Sequence, residues 1–381
     1  MDRRRFLRTT ARAGWSAAAL AALPPGVREA LAKTAGPPHL IERNEWPRHW
    51  ETTLAALDGS FFTPADDFFL RSHLSEGGRL DRDKPAFQIE GMVREPGAIS
   101  VEALRAMPQH EIACTLECAG NGRGLFKLPN TSGTQWEYGA VGTALWRGVR
   151  MADVLERAGA SAEATDVWFA GADWLDIGKL PAFERSIPAA KARGDALLAL
   201  QMNGAPLPFF HGGPVRLIVP GWYGMASIKW VGKVRVENRP CDGHFMVRGY
   251  RYQYPGENPT TAAPVEQVRV KSLITSIRDG ARVPRAPLTA GGWAWSGGGD
   301  ITRVEYSTDG LATWKSARLG PSRGEFAWRR WECDLKPAAA GPLTLAVRAT
   351  DAGGGTQPTL ARPNLAGYGN NSIHQVRIHV A

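Results

Sequence analysis

Cysteine is scarce in this sequence, with four in 381 residues: Cys114, Cys118, Cys241 and Cys333. So few thiols exclude a disulfide-built scaffold, and each has to be explained singly. Cys114 and Cys118 lack the second Cys or His pair that would complete a tetrahedral zinc set. No Cys-x-x-Cys-His run occurs, so the sequence carries no attachment motif for a c-type haem. Long apolar runs are missing too. The stretch from Ala13 to Pro25 is too short and too Ala-rich to span a bilayer, which excludes an integral helical membrane protein. Nor does a long basic run appear after the first 32 residues. The formal charge is +9, and the six arginines of residues 1–32, set against Asp2 and Glu29, supply +4 of it. The remaining +5 is diffuse, and suits a small anion or an acidic protein partner better than nucleic acid.

What is present is an ordinary folded composition. Apolar residues make up 43% and charged residues 22%, which excludes a disordered chain, a collagen and a coiled coil. The length suggests two or three domains with a sizeable core. The first 32 residues read as an address. Asp2-Arg3-Arg4-Arg5-Phe6-Leu7-Arg8 is a twin-arginine pattern, followed by a soft Ala-rich stretch and by Ala30-Leu31-Ala32. Small residues at 30 and 32 suit a signal peptidase, so cleavage is expected after Ala32 and the protein is expected in the periplasm.

From Pro47 to about Ala262, helical and extended signals alternate between Gly/Pro-punctuated loops. Ser100 caps a short expected helix over Val101–Leu104. Met151, Val154, Leu155 and Ala158 keep one-face helical spacing, and Gly159 stops it. Val215–Val219 reads as a buried strand between two prolines, and Ser227–Glu237 alternates like a longer strand. After Pro264 the helical period disappears. Six or seven short strands follow, with Asp309-Gly310 as a hairpin signal, and they predict an immunoglobulin-like sandwich.

The most distinctive segment is Ile112-Ala113-Cys114-Thr115-Leu116-Glu117-Cys118-Ala119-Gly120-Asn121-Gly122-Arg123-Gly124. An alternating strand ends at Cys118 and enters a Gly-rich loop carrying a lone arginine. A thiol in that setting is a nucleophile, a metal ligand or a buried structural residue. Cys114 and Cys118 share a strand face, which argues against a disulfide between them. Two further clusters, Phe68-Phe69-Leu70-Arg71-Ser72-His73 and His211-Gly212-Gly213-Pro214-Val215-Arg216, the latter running into Gly221–Trp230, supply cationic residues separated by Gly-rich backbone. A phosphate-bearing anionic cofactor needs that arrangement.

Together these segments resemble the sulfite oxidase family of molybdenum-pterin enzymes over roughly residues 45–381. The blocks FFLRSH, LECAGNGR, YGAVGTALWRGV, QMNGAPLP, HGGPVRLIVPG, SIKW, AWSGGGDI and STDGLATW appear in order. The resemblance implies an α+β chain. After the leader (1–32), a mixed α/β molybdopterin-binding domain (33–262) precedes an immunoglobulin-like dimerisation domain (263–381). It implies that Cys118 is the thiolate that binds molybdenum, a soft donor suited to a metal already held by dithiolene sulfurs. Phe69, Arg71, Ser72, His73, Asp173, His211, Arg216, Ser227 and Lys229 fall at positions that contact the molybdenum-molybdopterin cofactor. Arg71 and Arg123 match the cationic substrate pocket. Tyr250 lies where the family keeps a hydroxyl beside the metal's equatorial oxo group, with Tyr252 and Tyr254 as competitors.

The implied reaction is oxidation of sulfite to sulfate, with electrons leaving singly to an external c-type cytochrome, in a homodimer without a membrane span. Another sulfur or nitrogen oxo compound on the same scaffold, and a cofactor-free binding protein using the sandwich, are the alternatives. One departure stands out. Ala366 occupies a place where sulfite oxidases carry an arginine, and a lost charge-assisted hydrogen bond costs about 1.5–3 kcal/mol.

Overall fold

The structure is a computed structural model that describes residues 39–45, 47–74, 85–128, 131–173, 183–258 and 261–381. The expected leader and its cleavage site lie outside the described residues. In chain order the first strands are β1 (Leu40–Asn44), β2 (His49–Thr52), β3 (Leu70–Arg71), β4 (Ala86–Gly91) and β5 (Gly97–Ser100). Then come β6 (His110–Glu117), β7 (Val141–Arg150), β8 (Asp166–Gly171), β9 (Glu184–Pro188) and β10 (Leu197–Met202). The first unit closes with β11 (Ala205–Pro206), β12 (Arg216–Ile218), β13 (Val231–Glu237), β14 (Arg251–Tyr252) and β15 (Ala263–Pro264).

Two sheets carry this unit. One has the order β5-β4-β13-β8-β9, with a parallel pairing of β13 and β4, and the other has the order β11-β10-β7-β6 with β12 added on β10. Its helices are short: α1 (Leu54–Asp58), α2 (Val101–Arg105), α3 (Met151–Arg157), α4 (Ala189–Gly194) and α5 (His244–Val247). Helices of that length are marginal alone and persist by packing on the sheets. The expected mixture of helix and strand is therefore mostly sheet.

Local signals explain the ends of these elements. Ser100 Oγ accepts from Ala103 N at 3.1 Å and caps α2, as its position predicts. Met151, Val154 and Leu155 bury the apolar face of α3, and Gly159 ends the run at φ +63°. The strand expected over Ser227–Glu237 is shorter. It begins at Val231, because Trp230 takes φ +50° and Ser227–Lys229 turn into a cleft.

The sandwich comprises β16 (Lys271–Ile274), β17 (Arg282–Val283), β18 (Leu288–Trp295), β19 (Ile301–Ser307) and β20 (Lys315–Ser316). It continues with β21 (Arg318–Leu319), β22 (Arg329–Leu335), β23 (Gly341–Asp351) and β24 (His374–Val380). One sheet has the order β16-β18-β22-β21 and the other β17-β24-β23-β19-β20. Their inner faces share a core around Ile274, Trp331, Leu345, Val347 and Ile378. Alternate residues of β24, from His374 to Val380, are buried, so its period of two is that of a half-buried strand. Asp309-Gly310 does sit between β19 and β20. The loop is longer than a two-residue turn, and Asp309 stabilises it by accepting from Thr313 N at 3.0 Å.

The two units are joined by a continuous core. Trp293 and Trp328 stack with ring centroids 4.7 Å apart. Their indole nitrogens donate to Leu57 O at 2.7 Å and Phe61 O at 2.8 Å, both in the first unit. Connections of this kind hold the sandwich in a fixed position beside the end of β6, where the loop after Glu117 begins.

Candidate active site

Strand β6 is buried on both faces over its last four residues, Cys114–Glu117, and the chain then turns through Cys118-Ala119-Gly120-Asn121-Gly122. Cys118 N donates to Ala140 O at 2.9 Å, which fixes the start of the turn against β7. Gly122 sits at φ +86°, a conformation that favours glycine. All four cysteines are free. Cys118 is half-buried, whereas burial pushes the thiols of Cys114, Cys241 and Cys333 up to about 12, 11 and 12. The thiol in reach of a ligand is therefore Cys118.

Arg71, Ser72 and His73 leave the end of β3 along one wall. Their backbone is held by His49, whose Nε2 donates to Ser72 O at 2.8 Å while Nδ1 accepts from Thr134 Oγ1 at 2.6 Å. Burial, with Arg71 nearby, lowers His49 to about 4, so this relay is neutral. His73 stacks on Phe183 with centroids 3.8 Å apart and shares a hydrogen bond between Nε2 and the Tyr250 hydroxyl. Burial holds His73 well below the usual imidazole range and raises the Tyr250 phenol, so both are neutral. Tyr250 adopts φ +55°, a conformation costing about 1 kcal/mol or more for a residue with a side chain. Its ring lies between Tyr368, at 5.2 Å, and the Arg185 guanidinium, at 5.2 Å.

The opposite wall is cationic. His211 Nε2 donates to Ala65 O at 2.7 Å, and burial lowers this imidazole to about 3. Arg216 Nη1 donates to His211 O at 2.9 Å. Burial pulls Arg216 down to about 9, still charged at neutral pH. Lys229 Nζ donates to Ser72 Oγ at 2.8 Å and lies 4.1 Å from the Trp230 ring centre. Burial raises Asp173 to about 6 against the opposing pull of Lys229 and Arg71.

These walls enclose a cleft of about 670 Å³, mouth included. Phe69, Arg71, His73, Cys118, Asp173, His211, Arg216, Ser227, Lys229 and Tyr250 all line it. Tyr252 and Tyr254 are absent from that lining. Ser72 is buried behind the wall as an acceptor for Lys229. Arg123 also lies outside the lining. Its Nε donates to Ala366 O at 2.7 Å and its Nη1 to Thr134 O at 2.9 Å. Gly120, Gly133 and Gly367 form its slot, and a Cβ on each would come within 2.8, 2.6 and 2.7 Å of the side chain. The guanidinium faces Tyr368 at 5.2 Å, one ring removed from Tyr250. Sequence reasoning missed Phe183, Arg185 and Tyr368. No local pattern marks them, since each reaches the site from a distant part of the chain.

Two family models match: an oxidoreductase molybdopterin binding domain over residues 76–245 and a Mo-co oxidoreductase dimerisation domain over residues 262–381. The chain is 36% identical to mitochondrial sulfite oxidase of Homo sapiens, across 90% of this chain and 66% of that protein. It is 34% identical to sulfite oxidase of Gallus gallus, across 89% of this chain and 77% of that one. The chain belongs to the sulfite oxidase family. It spans about two thirds of the length of the mammalian relatives it matches. Among solved structures, the sulfane dehydrogenase SoxCD from Paracoccus pantotrophus superposes with a TM-score of 0.76 at 28% identity, covering 96% of this chain and 92% of that one.

The cofactor of this sulfite oxidase family member is molybdenum carried by molybdopterin, and the cleft fits it. Among the described residues no cluster of three or more His, Cys, Asp or Glu could hold a metal. A metal here would have to bring most of its own ligands, and Cys118 is the half-buried thiol that lines the cleft. Arg71 Nη1 and Arg216 Nε are buried without partners, and both residues line the cleft. Orphaned cationic donors are costly unless an anion completes them.

Asp173 makes this electrostatic account testable. Its native pKa, about 6, lies above the ordinary 3.8, so the native state holds the proton more tightly. The Asp173 contribution to the stability of the cofactor-free protein should fall as pH rises from about 4 to 6, then level off. Asp173→Asn should make that slope less negative and gain on the order of 2–3 kcal/mol at pH 7. Denaturant unfolding across this pH range checks it, and an unchanged slope in the variant would refute the assignment.

Proposed function

We propose that this protein oxidises sulfite: sulfite and water become sulfate, two protons and two electrons. The carrying observation is one cleft holding a half-buried thiol, two arginines that each have one buried N–H nitrogen without a partner, and a neutral His–Tyr pair. Cys118 would hold the metal, with His211, Arg216 and Lys229 on the phosphate-bearing end of the cofactor and Asp173 on the pterin. When bound, the molybdenum centre supplies two-electron oxidation with oxygen transfer. Arg71 binds and orients the sulfite dianion through a charge-assisted hydrogen bond. Tyr250 donates its hydroxyl to an oxygen on the reacting side, and neutral His73, donating from Nε2 to that hydroxyl oxygen, fixes its direction. Burial excludes water from this pair and strengthens both hydrogen bonds.

A second reading, oxidation of another reduced sulfur compound, is favoured by Ala366. A methyl stands where an arginine is expected, and its carbonyl is committed to Arg123. That leaves one cationic side chain fewer beside Arg123 and Tyr368, and the likeness to a sulfane dehydrogenase points the same way. Strand order also supports reading the sandwich as immunoglobulin-like. With the two-residue edge strands β17 and β20 set aside and the other seven lettered in order, its sheets run A-B-E-D and G-F-C, β17 lying parallel to β24 at one edge and β20 antiparallel to β19 at the other. We assign residues 262–381 to a homodimer contact, the electrons to a c-type cytochrome, and the protein to the periplasm.

Three measurements test this reading. Cys118→Ser should fold normally yet lose molybdenum-dependent turnover, because a hydroxyl replaces a thiolate poorly. Near wild-type activity in that variant would overturn the metal assignment. Ala366→Arg should lower KM for sulfite about tenfold or more, with kcat little changed. An unchanged or raised KM would move the assignment to the second reading. For export, N-terminal sequencing of periplasmic protein should begin at Lys33, and Arg3→Lys with Arg4→Lys should retain the protein in the cytoplasm. Periplasmic material beginning at Met1 counts against the leader.

A further inference from the structure

Glu117, the residue before the proposed metal ligand, is buried with 2% of its side chain exposed and makes an ion pair with Lys271, 4% exposed. The pair crosses the two structural units. Lys271 Nζ donates to Glu117 Oε1 at 2.9 Å, and Trp295 Nε1, also from the sandwich, donates to Oε2 at 2.9 Å. Asn121 Nδ2 donates to Oε1 at 2.9 Å from inside the loop itself. Asn121 Oδ1 in turn accepts from Ala140 N at 3.1 Å, and Ala140 O accepts from Cys118 N at 2.9 Å. A closed circuit therefore runs from Lys271 through Glu117, Asn121 and Ala140 to the backbone of Cys118.

The sandwich grips the same loop at two more points. Gly369 N donates to Ala119 O at 2.8 Å, and Asn370 Nδ2 donates to Gly122 O at 2.8 Å. A buried ion pair is weak evidence of stabilisation, since well-packed apolar groups of similar volume often do as well or better. Here the polar groups are spent on the orientation of one loop. We propose that Lys271 and Trp295 of the sandwich are positioning residues for Cys118, acting through Glu117. The C-terminal unit is thus part of the metal site as well as a surface for association. This inference rests on the reading of Cys118 as the metal ligand.

The test uses the full-length holoenzyme and three readouts: molybdenum per chain, the electron paramagnetic signal of the reduced centre, and unfolding temperature. Lys271→Met leaves Glu117 buried without its counter-charge. Molybdenum content should fall about tenfold, as for groups one step behind a metal ligand, and the signal of the residual metal should shift. Neutralising both partners, with Glu117→Gln and Lys271→Met together, should restore much of the metal content. Trp295→Phe keeps an aromatic side chain, loses the indole N–H donor together with some buried volume, and should shift the signal with a smaller metal loss. Should Lys271→Met not fold, Trp295→Phe decides alone, and unchanged metal and signal there would overturn the proposal. A lowered unfolding temperature with wild-type metal and signal in all variants would mark an ordinary structural pair. Cys118→Ser run alongside separates the two ideas. If it keeps its metal and signal, the Cys118 reading has failed; if it alone loses them, only the positioning role has.

Discussion

A carboxylate with three hydrogen-bond donors and almost no contact with water sits at the centre of this molecule. Glu117 ends the strand that delivers Cys118, and its partners come from its own loop and from two sandwich strands. A buried charge of this kind tolerates little displacement, because losing one partner leaves an uncompensated ion. The position of the sandwich relative to the first unit is thereby tied to the shape of a five-residue turn. The stacked Trp293 and Trp328, each bonded to a backbone carbonyl of the first unit, hold the same junction from the side.

The cleft shows a matching economy of charge. Among the described residues, three cations, from Arg71, Arg216 and Lys229, line one space with one carboxylate, Asp173. Adding protonated histidines would raise the repulsion further, and burial keeps His49, His73 and His211 neutral. Each imidazole is thus free to act through its nitrogens, anchoring backbone in His49 and His211 and pairing with a phenol in His73. The surplus positive charge is left for an anionic ligand to balance.

Much of this site was legible in the sequence. Cys118, Arg71, His73, His211, Arg216, Lys229 and Tyr250 lie in short motifs, several of them beside Gly or Pro, and the structure brings them to one cleft. The capped helix at Ser100, the α3 face and most sandwich strands also followed from local pattern. What stayed hidden is non-local. Arg185 sits within an ordinary strand, and Tyr368 belongs to a loop far along the chain. Glu117 reads as one more residue of an alternating strand until Lys271 is seen beside it. The strand expected from Ser227 was overextended because alternation continued through residues that the cleft turns inward. Arg123 was expected in the pocket, yet it is held by two carbonyls in a slot of three glycines behind it.

The distance along the chain between these partners also sets an order of assembly. Lys271 and Trp295 follow Glu117 by 154 and 178 residues. The strand nearest the C-terminus, β24, lies inside its sheet between β17 and β23. During synthesis the first unit is therefore made long before the groups that neutralise Glu117. Contacts separated so widely form late, since loop closure precedes their reward. The Cys118 turn therefore completes its hydrogen bonding only after β16 and β18 of the sandwich have been made.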